Sequence, residues 1–430
     1  MTERTIKVRA MTRVEGEGGL YVKLNRDVVE DVRLEIYEPP RLFEALLRGR
    51  MLEDVPDITA RICGICPVAY QMSSVHALEA ALGVTTSPEI RRLRRLLYCG
   101  EWIESHALHI YLLNAPDFVG FDSGLDMASR FPDEVNRGLR MKKYGNRLLE
   151  ILGGRAIHPV NVAVGGFYRA PRREALQQLI PDFEWGLQAA IETTRWVAGF
   201  AFPNFACDTQ LVSLSHPDEY PMNEGHIATT AGESIPVGSY QYEFEERHVP
   251  HSTALHSVRR QTGDSYLVGP LARVSLNLDR LSPTARQTAG EVGITWPCFN
   301  PFQSIVARGL ELIHAFEEGL DILRTYDPPR QPRIEYTYKA ASGCAATEAP
   351  RGTIYQHYTI DEEGKVVQAV IIPPTSQNQA QIEIDLRAWV PRVIHESEVV
   401  LSRQCETMVP CYDPCISCST HFLKLRIERT

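Results

Sequence analysis

No stretch of this sequence is apolar for long enough to cross a bilayer, which takes about 20 residues, so no membrane-spanning helix is expected. Lysine- and arginine-rich runs are also missing, and the formal net charge is −9. Nothing therefore invites a phosphate backbone, and nucleic acid is excluded as a partner. The opening residues, Met1-Thr2-Glu3-Arg4, lack the apolar core of a secretory signal, and the expected location is cytoplasmic. Ten cysteines in 430 residues are too sparse for a disulfide scaffold. There is no internal repeat, no low-complexity tract, no clean linker and no glycine-rich nucleotide fingerprint. What remains is a large chain, 44% hydrophobic, able to bury a sizeable core.

The pattern of that chain predicts an α+β fold, predominantly α: a long-helix bundle with small peripheral hairpins. One continuous domain over 1–430 is expected. Residues 4–37 alternate apolar and polar in Tyr21-Val22-Lys23-Leu24 and Val32-Arg33-Leu34-Glu35-Ile36, with Asn25-Arg26-Asp27 as the turn of a hairpin. A short helix follows near Leu42–Arg48. Ser87-Pro88 makes a good start for a helix reaching about Leu113. Apolar residues stepping by three and four predict a long helix over 172–200, and another carrying Val306, Leu310, Ile313, Leu320 and Leu323. Residues 205–300 read as a loop-and-strand excursion, with Tyr240–Phe244 as one of its strands. A second hairpin is expected over 353–372, turning at Asp361-Glu362-Glu363-Gly364, and a last helix over roughly Arg392–Thr407.

The chemistry lies in the placement of four cysteines. Cys63 and Cys66 sit in Arg61-Ile62-Cys63-Gly64-Ile65-Cys66-Pro67, and Cys415 and Cys418 in Asp413-Pro414-Cys415-Ile416-Ser417-Cys418-Ser419-Thr420-His421. Two intervening residues let both thiolates of a pair face one point, and Gly64 takes a side chain out of that turn. One such pair alone fits a redox dithiol or half a zinc site. Two pairs make a four-thiolate centre plausible, and thiolates select zinc, copper(I), iron–sulfur and other soft centres. A local zinc ribbon keeps its pairs about 15–20 residues apart, whereas these lie at opposite ends of the chain. A centre buried between the two ends fits better.

These two motifs resemble the signatures of nickel–iron hydrogenase large subunits. Arg13-Val14-Glu15-Gly16, Phe43-Glu44, Arg48-Gly49-Arg50 and Glu348-Ala349-Pro350-Arg351-Gly352 resemble further elements of that family, in the same order from end to end. The resemblance implies the hydrogenase large-subunit fold and a nickel–iron centre with carbon monoxide and cyanide on iron. It makes Cys63 and Cys415 terminal nickel ligands, and Cys66 and Cys418 bridges to iron. Glu15 would be the proton gate at the sulfur of Cys415. Arg351 would overhang the metal site, paired with Asp117 and Asp413 and walled by Pro350. Glu44, His421 and the backbone carbonyl of Gln379 would bind magnesium or a similar ion. His106, His109, His248, His251 and His256 are read as core or surface histidines, with no second ligand type beside them.

Two features depart from the family pattern. Tyr70 stands where many relatives have histidine; a phenol donates a hydrogen bond but titrates near pH 10, so Tyr70 is expected to tune the Cys418 bridge without taking a proton. Residues 422–430 continue beyond His421, where a maturation protease usually cuts, so the short tail is either retained or removed after nickel-insertion proteins have acted. No other cysteine spacing suits an iron–sulfur cluster. The electrons of hydrogen cleavage therefore imply an iron–sulfur small subunit, with flavin-containing diaphorase subunits leading to NAD(P). The alternatives are an F420-linked or a sulfur- or polysulfide-reducing hydrogenase, a non-enzymatic respiratory-complex relative, and a zinc enzyme of another kind.

Overall fold

The computed structural model describes residues 3–8, 11, 13–25, 28–37 and 42–419. Part of the expected turn at Asn25-Arg26-Asp27, the expected ligand His421 and the tail 422–430 lie outside the described residues.

The chain begins with an antiparallel sheet of β1 (Glu3–Val8), β2 (Gly18–Asn25) and β3 (Val28–Ile36), so the expected hairpin gains a third strand. The inward residues Leu20, Val22, Leu24, Val32, Leu34 and Ile36 are all buried, as strict alternation demands. Short helices α1 (Phe43–Leu47) and α2 (Val55–Ala60) then lead to α3 (Pro67–Leu82), almost wholly buried, and α4 (Pro88–Leu108). Ser87 caps α4 by accepting the Ile90 amide through its Oγ at 3.3 Å. The helix does not run on unchanged to Leu113: residues His109–Asn114 form a wider π-helical turn, a geometry often found at functional sites.

Helices α5 (Ala115–Val119), α6 (Gly124–Met127) and α7 (Pro132–Gly153) follow. The long helix expected over 172–200 is split into α8 (Arg173–Gln177) and α9 (Ile180–Ala198); Pro181 starts the second piece, because proline suits a first turn and disrupts an interior. The bundle is α4, α7, α9 and α13 (Ser304–Thr325). Its helices approach closely: a Cβ on Gly145 would meet the Gly100 carbonyl at 2.7 Å.

The region 205–300 is more helical than expected. Between β4–β5 (Val162–Ala163, Gly166–Phe167) and the end of the excursion lie β6 (Gln210–Ser215), β7 (His226–Thr229), β8 (Ser234–Ile235), β9 (Phe244–Arg247), β10 (His256–Arg259) and β11 (Tyr266–Leu267). Tyr240–Glu243, expected as a strand, is the helical turn α10: Tyr240 and Phe244, four residues apart, pack inward while Tyr242 between them is exposed. Two helices, α11 (Pro270–Asn277) and α12 (Pro283–Glu291), were not anticipated. The hairpin over 353–372 exists as β13 (Gly352–Ile360) and β14 (Val366–Ile372), joined by β12 (Ala341–Ala349) in one antiparallel sheet. Strand β12 lies against α3 so tightly that a Cβ on Gly343 would come within 2.3 Å of the Ala81 amide nitrogen.

The expected last helix is also two: α14 (Pro374–Val393) starts much earlier, and α15 (Glu398–Met408) follows after a break capped by Ser397. The short α16 (Ile416–Ser419) closes the described chain. One apolar cluster runs from Met11 to Cys418 and includes both chain ends. A smaller one, with Leu214, Tyr240, Tyr266 and Tyr355, joins the excursion to the β12–β14 sheet. Among the described residues no helix is long and apolar enough to cross a membrane.

Candidate metal centre

Cys66 precedes the first turn of α3, whose amides lack helical partners. Glu101 of α4 supplies them: its Oε2 accepts the Val68 amide at 2.6 Å and its Oε1 the Ala69 amide at 3.2 Å. In the turn before α3, the amides of Ile65 and Cys66 donate to the Cys63 sulfur at 3.3 and 3.1 Å. Gly64 is exposed with open space where a Cβ would stand, so steric relief is not its reason for being there.

The second pair is brought to the first by the N-terminal segment. Glu15 and Cys415 form a parallel bridge in which the Ile416 amide donates to the Glu15 carbonyl at 2.8 Å. Thr375, in the first turn of α14, accepts the Cys415 amide at 3.0 Å. The sulfurs of Cys63 and Cys415 then lie 3.7 Å apart and those of Cys415 and Cys418 2.8 Å apart. Those of Cys63, Cys66 and Cys418 fall within 4.8 Å of one another. All four are buried, and none is in a disulfide. Glu15 Oε2 accepts from the Cys415 sulfur at 3.0 Å.

Burial opposes ionisation of every thiol. At Cys63, hydrogen bonds from Cys415, Cys418 and Cys66 outweigh burial and hold that thiol well below its usual value. Cys66, Cys415 and Cys418 are pushed up, burial being the largest cause for each. Left alone, four sulfurs this close keep protons between them; a bound cation is what would ionise all four. The donor set thus fits a soft metal centre.

Arg351 stands beside the cluster. Its Nε donates to the Asp413 carbonyl at 3.1 Å and to Asp413 Oδ1 at 3.0 Å, while its buried Nη1 has no partner among the described residues. Burial works against this guanidinium, but Asp413 and the charges of Cys415, Cys66 and Cys63 outweigh it and hold it protonated. Asp413 is also opposed by burial and is nonetheless held below the usual range by Arg351, His109 and Arg308.

The Pro350-Arg351 turn is fixed by Arg273, whose guanidinium donates to the Ala349 and Pro350 carbonyls at 2.7 and 2.8 Å. Arg273 also pairs with Glu311 at 2.7 Å and Glu348 at 2.9 Å, all three being fully buried. Removing one member of such a set typically costs about 3–5 kcal/mol, because the others stay buried and unpaired.

One expected partnership is not observed. Asp117 pairs with Arg13 at 2.7 Å rather than with Arg351. The π-helical turn and α5 carry it toward the N-terminal segment, where Arg13 adopts a left-handed backbone (φ 62°). Burial raises the Asp117 carboxyl to about 7 against the pull of Arg13 and Arg403. Tyr70 is buried in the first turn of α3; burial, then the negative charge of Cys418 and Cys66, pushes its phenol well up.

Glu44 accepts the Ile371 amide at 2.7 Å. Gln379 lies fully buried in α14, both ends of its amide lacking a partner among the described residues. The histidines are better partnered than expected. His106 meets Glu311 at 2.8 Å, His109 bonds the Pro410 carbonyl at 2.8 Å, and Glu383 stands at 2.8 Å from His251, close to His256. Glu101, Arg273, Arg308, Glu311 and Thr375 were missed. For the four charged residues the available signal was charge inside apolar helical stripes, since buried charges are rarely unpaired; the polar stretch around Thr375 offered none.

A profile of the nickel-dependent hydrogenase family matches residues 41–135, which include the first cysteine pair. The alpha chain of sulfhydrogenase 1 from Pyrococcus furiosus is 34% identical over 98% of this chain and 98% of its own length. This chain belongs to the nickel-dependent hydrogenases. One chain of the F420-non-reducing hydrogenase vhu from Methanocaldococcus jannaschii is 30% identical over 88% of this chain and 96% of that one. Among solved structures, an NAD+-reducing [NiFe]-hydrogenase in the H2-reduced state superposes with a TM-score of 0.87 at 24% identity, covering 97% of this chain and 99% of that chain. The [NiFeSe]-hydrogenase of Dm. baculatum gives a TM-score of 0.78 at 20% identity, covering 98% and 100%. Both share the fold. The hydrogenase is accordingly an oxidoreductase, and the chain is its catalytic subunit, with a donor set that suits a nickel–iron active site.

Proposed function

We propose that Cys63, Cys66, Cys415 and Cys418 hold the nickel–iron centre, the first cysteine of each pair as a terminal nickel ligand and the second as a bridge to iron, whose other ligands are carbon monoxide and cyanide. The observation that carries this reading is the meeting of two cysteine pairs from opposite chain ends, with a carboxylate 3.0 Å from one sulfur. When bound, the centre supplies the redox chemistry that takes two electrons from dihydrogen. The protein's own residues deal with the protons. A proton released at the Cys415 sulfur passes to Glu15 Oε2, which lies at hydrogen-bond distance and near the surface. Arg351 cannot give up its proton, so it offers fixed positive charge and the unpartnered Nη1 without competing for the one in transit. Asp413 holds that guanidinium still, Pro350 walls the site, and Asp117 anchors Arg13 two residues before Glu15. Glu44, His421 and the carbonyl of Gln379 bind magnesium or a similar hard ion; a helical carbonyl has a second lone pair to give.

The electrons leave through a partner. We infer an iron–sulfur small subunit docked near the centre, and flavin-containing diaphorase subunits that reduce NAD(P). Support comes from the close structural likeness to an NAD+-reducing enzyme. Sulfur or polysulfide reduction is the second reading, favoured by the 34% identity to a sulfhydrogenase chain. F420 is less favoured, since the relative in Methanocaldococcus jannaschii is F420-non-reducing. The test is to purify the native complex under hydrogen and assay reduction of NAD+, NADP+, polysulfide and F420 side by side. Turnover with a nicotinamide supports the first reading; turnover with polysulfide alone favours the second.

A further inference from the structure

We propose that His251, His256 and Glu383 form a further metal site, for zinc or a similar imidazole-preferring divalent ion, sharing no residue with the cysteine centre or with the magnesium site of Glu44, Gln379 and His421. His251 lies in the connection between β9 and β10, His256 opens β10, and Glu383 projects from the middle of α14. One ligand atom from each falls within 4.8 Å of the other two. Bonds of about 2.0–2.2 Å to a tetrahedral zinc put ligand atoms roughly 3.3 Å apart, so closing the set requires a movement of at most about 1.5 Å.

The donor chemistry matches. Two imidazoles and one carboxylate suit zinc, with a fourth position left for water. Glu383 Oε1 already accepts the His251 ring at 2.8 Å and the Leu34 amide at 2.8 Å, which orients the carboxylate toward the histidines. The ring centroids of His251 and His256 are 5.8 Å apart and nearly perpendicular. His256 is 5% exposed, and its Nε2 has no partner among the described residues. A buried polar atom without a partner is costly, and a metal ligand is one way such an atom is used. Burial, then the neighbouring His251, lowers the His256 value to about 4, so the ring is neutral near pH 7 with a lone pair to offer.

The position gives the site a structural task. Glu383 links α14 to β3 through Leu34, and the adjoining Thr253 amide donates to the Ile36 carbonyl at 2.8 Å. A metal here ties β3, the β9–β10 connection and α14 together. The first turn of α14 holds the Cys415 amide through Thr375, so the same helix connects this site to the cysteine centre.

The test uses the native complex, dialysed against micromolar zinc and then against metal-free buffer. About one zinc per chain is expected beyond nickel and iron, and its X-ray absorption edge should report nitrogen and oxygen neighbours with imidazole scattering and no sulfur. His256→Gln and Glu383→Gln should each lose that zinc while keeping nickel content and hydrogen uptake. No zinc above background, zinc with sulfur neighbours, or zinc undiminished in both variants overturns the proposal. Should the variants fail to fold, the absorption spectrum of the native protein decides alone.

Discussion

Replacing Glu15 by glutamine separates proton transfer from everything else Glu15 does. Its main chain, through the carbonyl that accepts the Ile416 amide at 2.8 Å, holds the second cysteine pair in place. That bond does not depend on the side chain. The side-chain amide is the same size as the carboxylate and can still lie 3.0 Å from the Cys415 sulfur, but it cannot take up a proton. Loss of a positioned acid–base group costs roughly 10²–10⁴-fold in rate, or about 3–5 kcal/mol of barrier. Hydrogen-driven dye reduction by Glu15→Gln should fall by that factor, with nickel and iron content and the infrared bands of the centre unchanged. Glu15→Asp draws the carboxylate back by about 1.5 Å, one carbon–carbon bond, and should fall in between. A glutamine variant with at least a third of the native rate, its metal content intact, would refute the role given to Glu15.

Three further outcomes are expected. Glu101→Ala leaves the Val68 and Ala69 amides buried without their acceptor and should lower unfolding stability by about 2–4 kcal/mol in denaturant titration, whereas Glu101→Gln, which keeps an accepting oxygen, should lose much less. Asp117 has a folded value of about 7, above the usual aspartate value; its stabilising contribution is present below about pH 4 and is lost as pH rises through 7. The Tm of Asp117→Asn relative to native should therefore climb between about pH 4 and 7 and level off above, and a difference independent of pH would contradict this. Tyr70→Phe should shift the redox midpoint of the centre with little change in rate, because the buried phenol interacts electrostatically with the four sulfurs yet stays protonated; an unchanged midpoint would remove the tuning role.

The cysteine pairs were legible because two chemically costly motifs at opposite ends point to one centre. The Glu15 contact with Cys415 could be expected only through resemblance: nothing in residues 13–16 alone announces a partner 400 positions away. The Ser87-Pro88 start located α4, and periodicity located α13, whose apolar stripe is long. It failed where local pattern and tertiary packing diverge. Tyr240–Glu243 alternates like a strand but turns as a helix to bury Tyr240. The start of α14 is so rich in glutamine, asparagine, serine and threonine that it shows no apolar stripe, yet Thr375, Gln377 and Asn378 are buried and bonded to neighbouring segments. The pairing of Asp117 with Arg13, where resemblance implies Arg351, is not legible in the sequence, because resemblance to a motif carries no information about which guanidinium a helix turn faces. Likewise Glu383 gave no hint of His251 while 132 residues separated them.

On the proposal above, four cysteines drawn from opposite ends of the chain hold a nickel–iron centre with diatomic ligands. Infrared spectroscopy of the purified complex, with nickel and iron measured on the same sample, tests it most directly. Intense bands from metal-bound carbon monoxide and cyanide and about one nickel per chain are expected, both lost in Cys63→Ser and Cys415→Ser. Zinc at the thiolates with no such bands would contradict it.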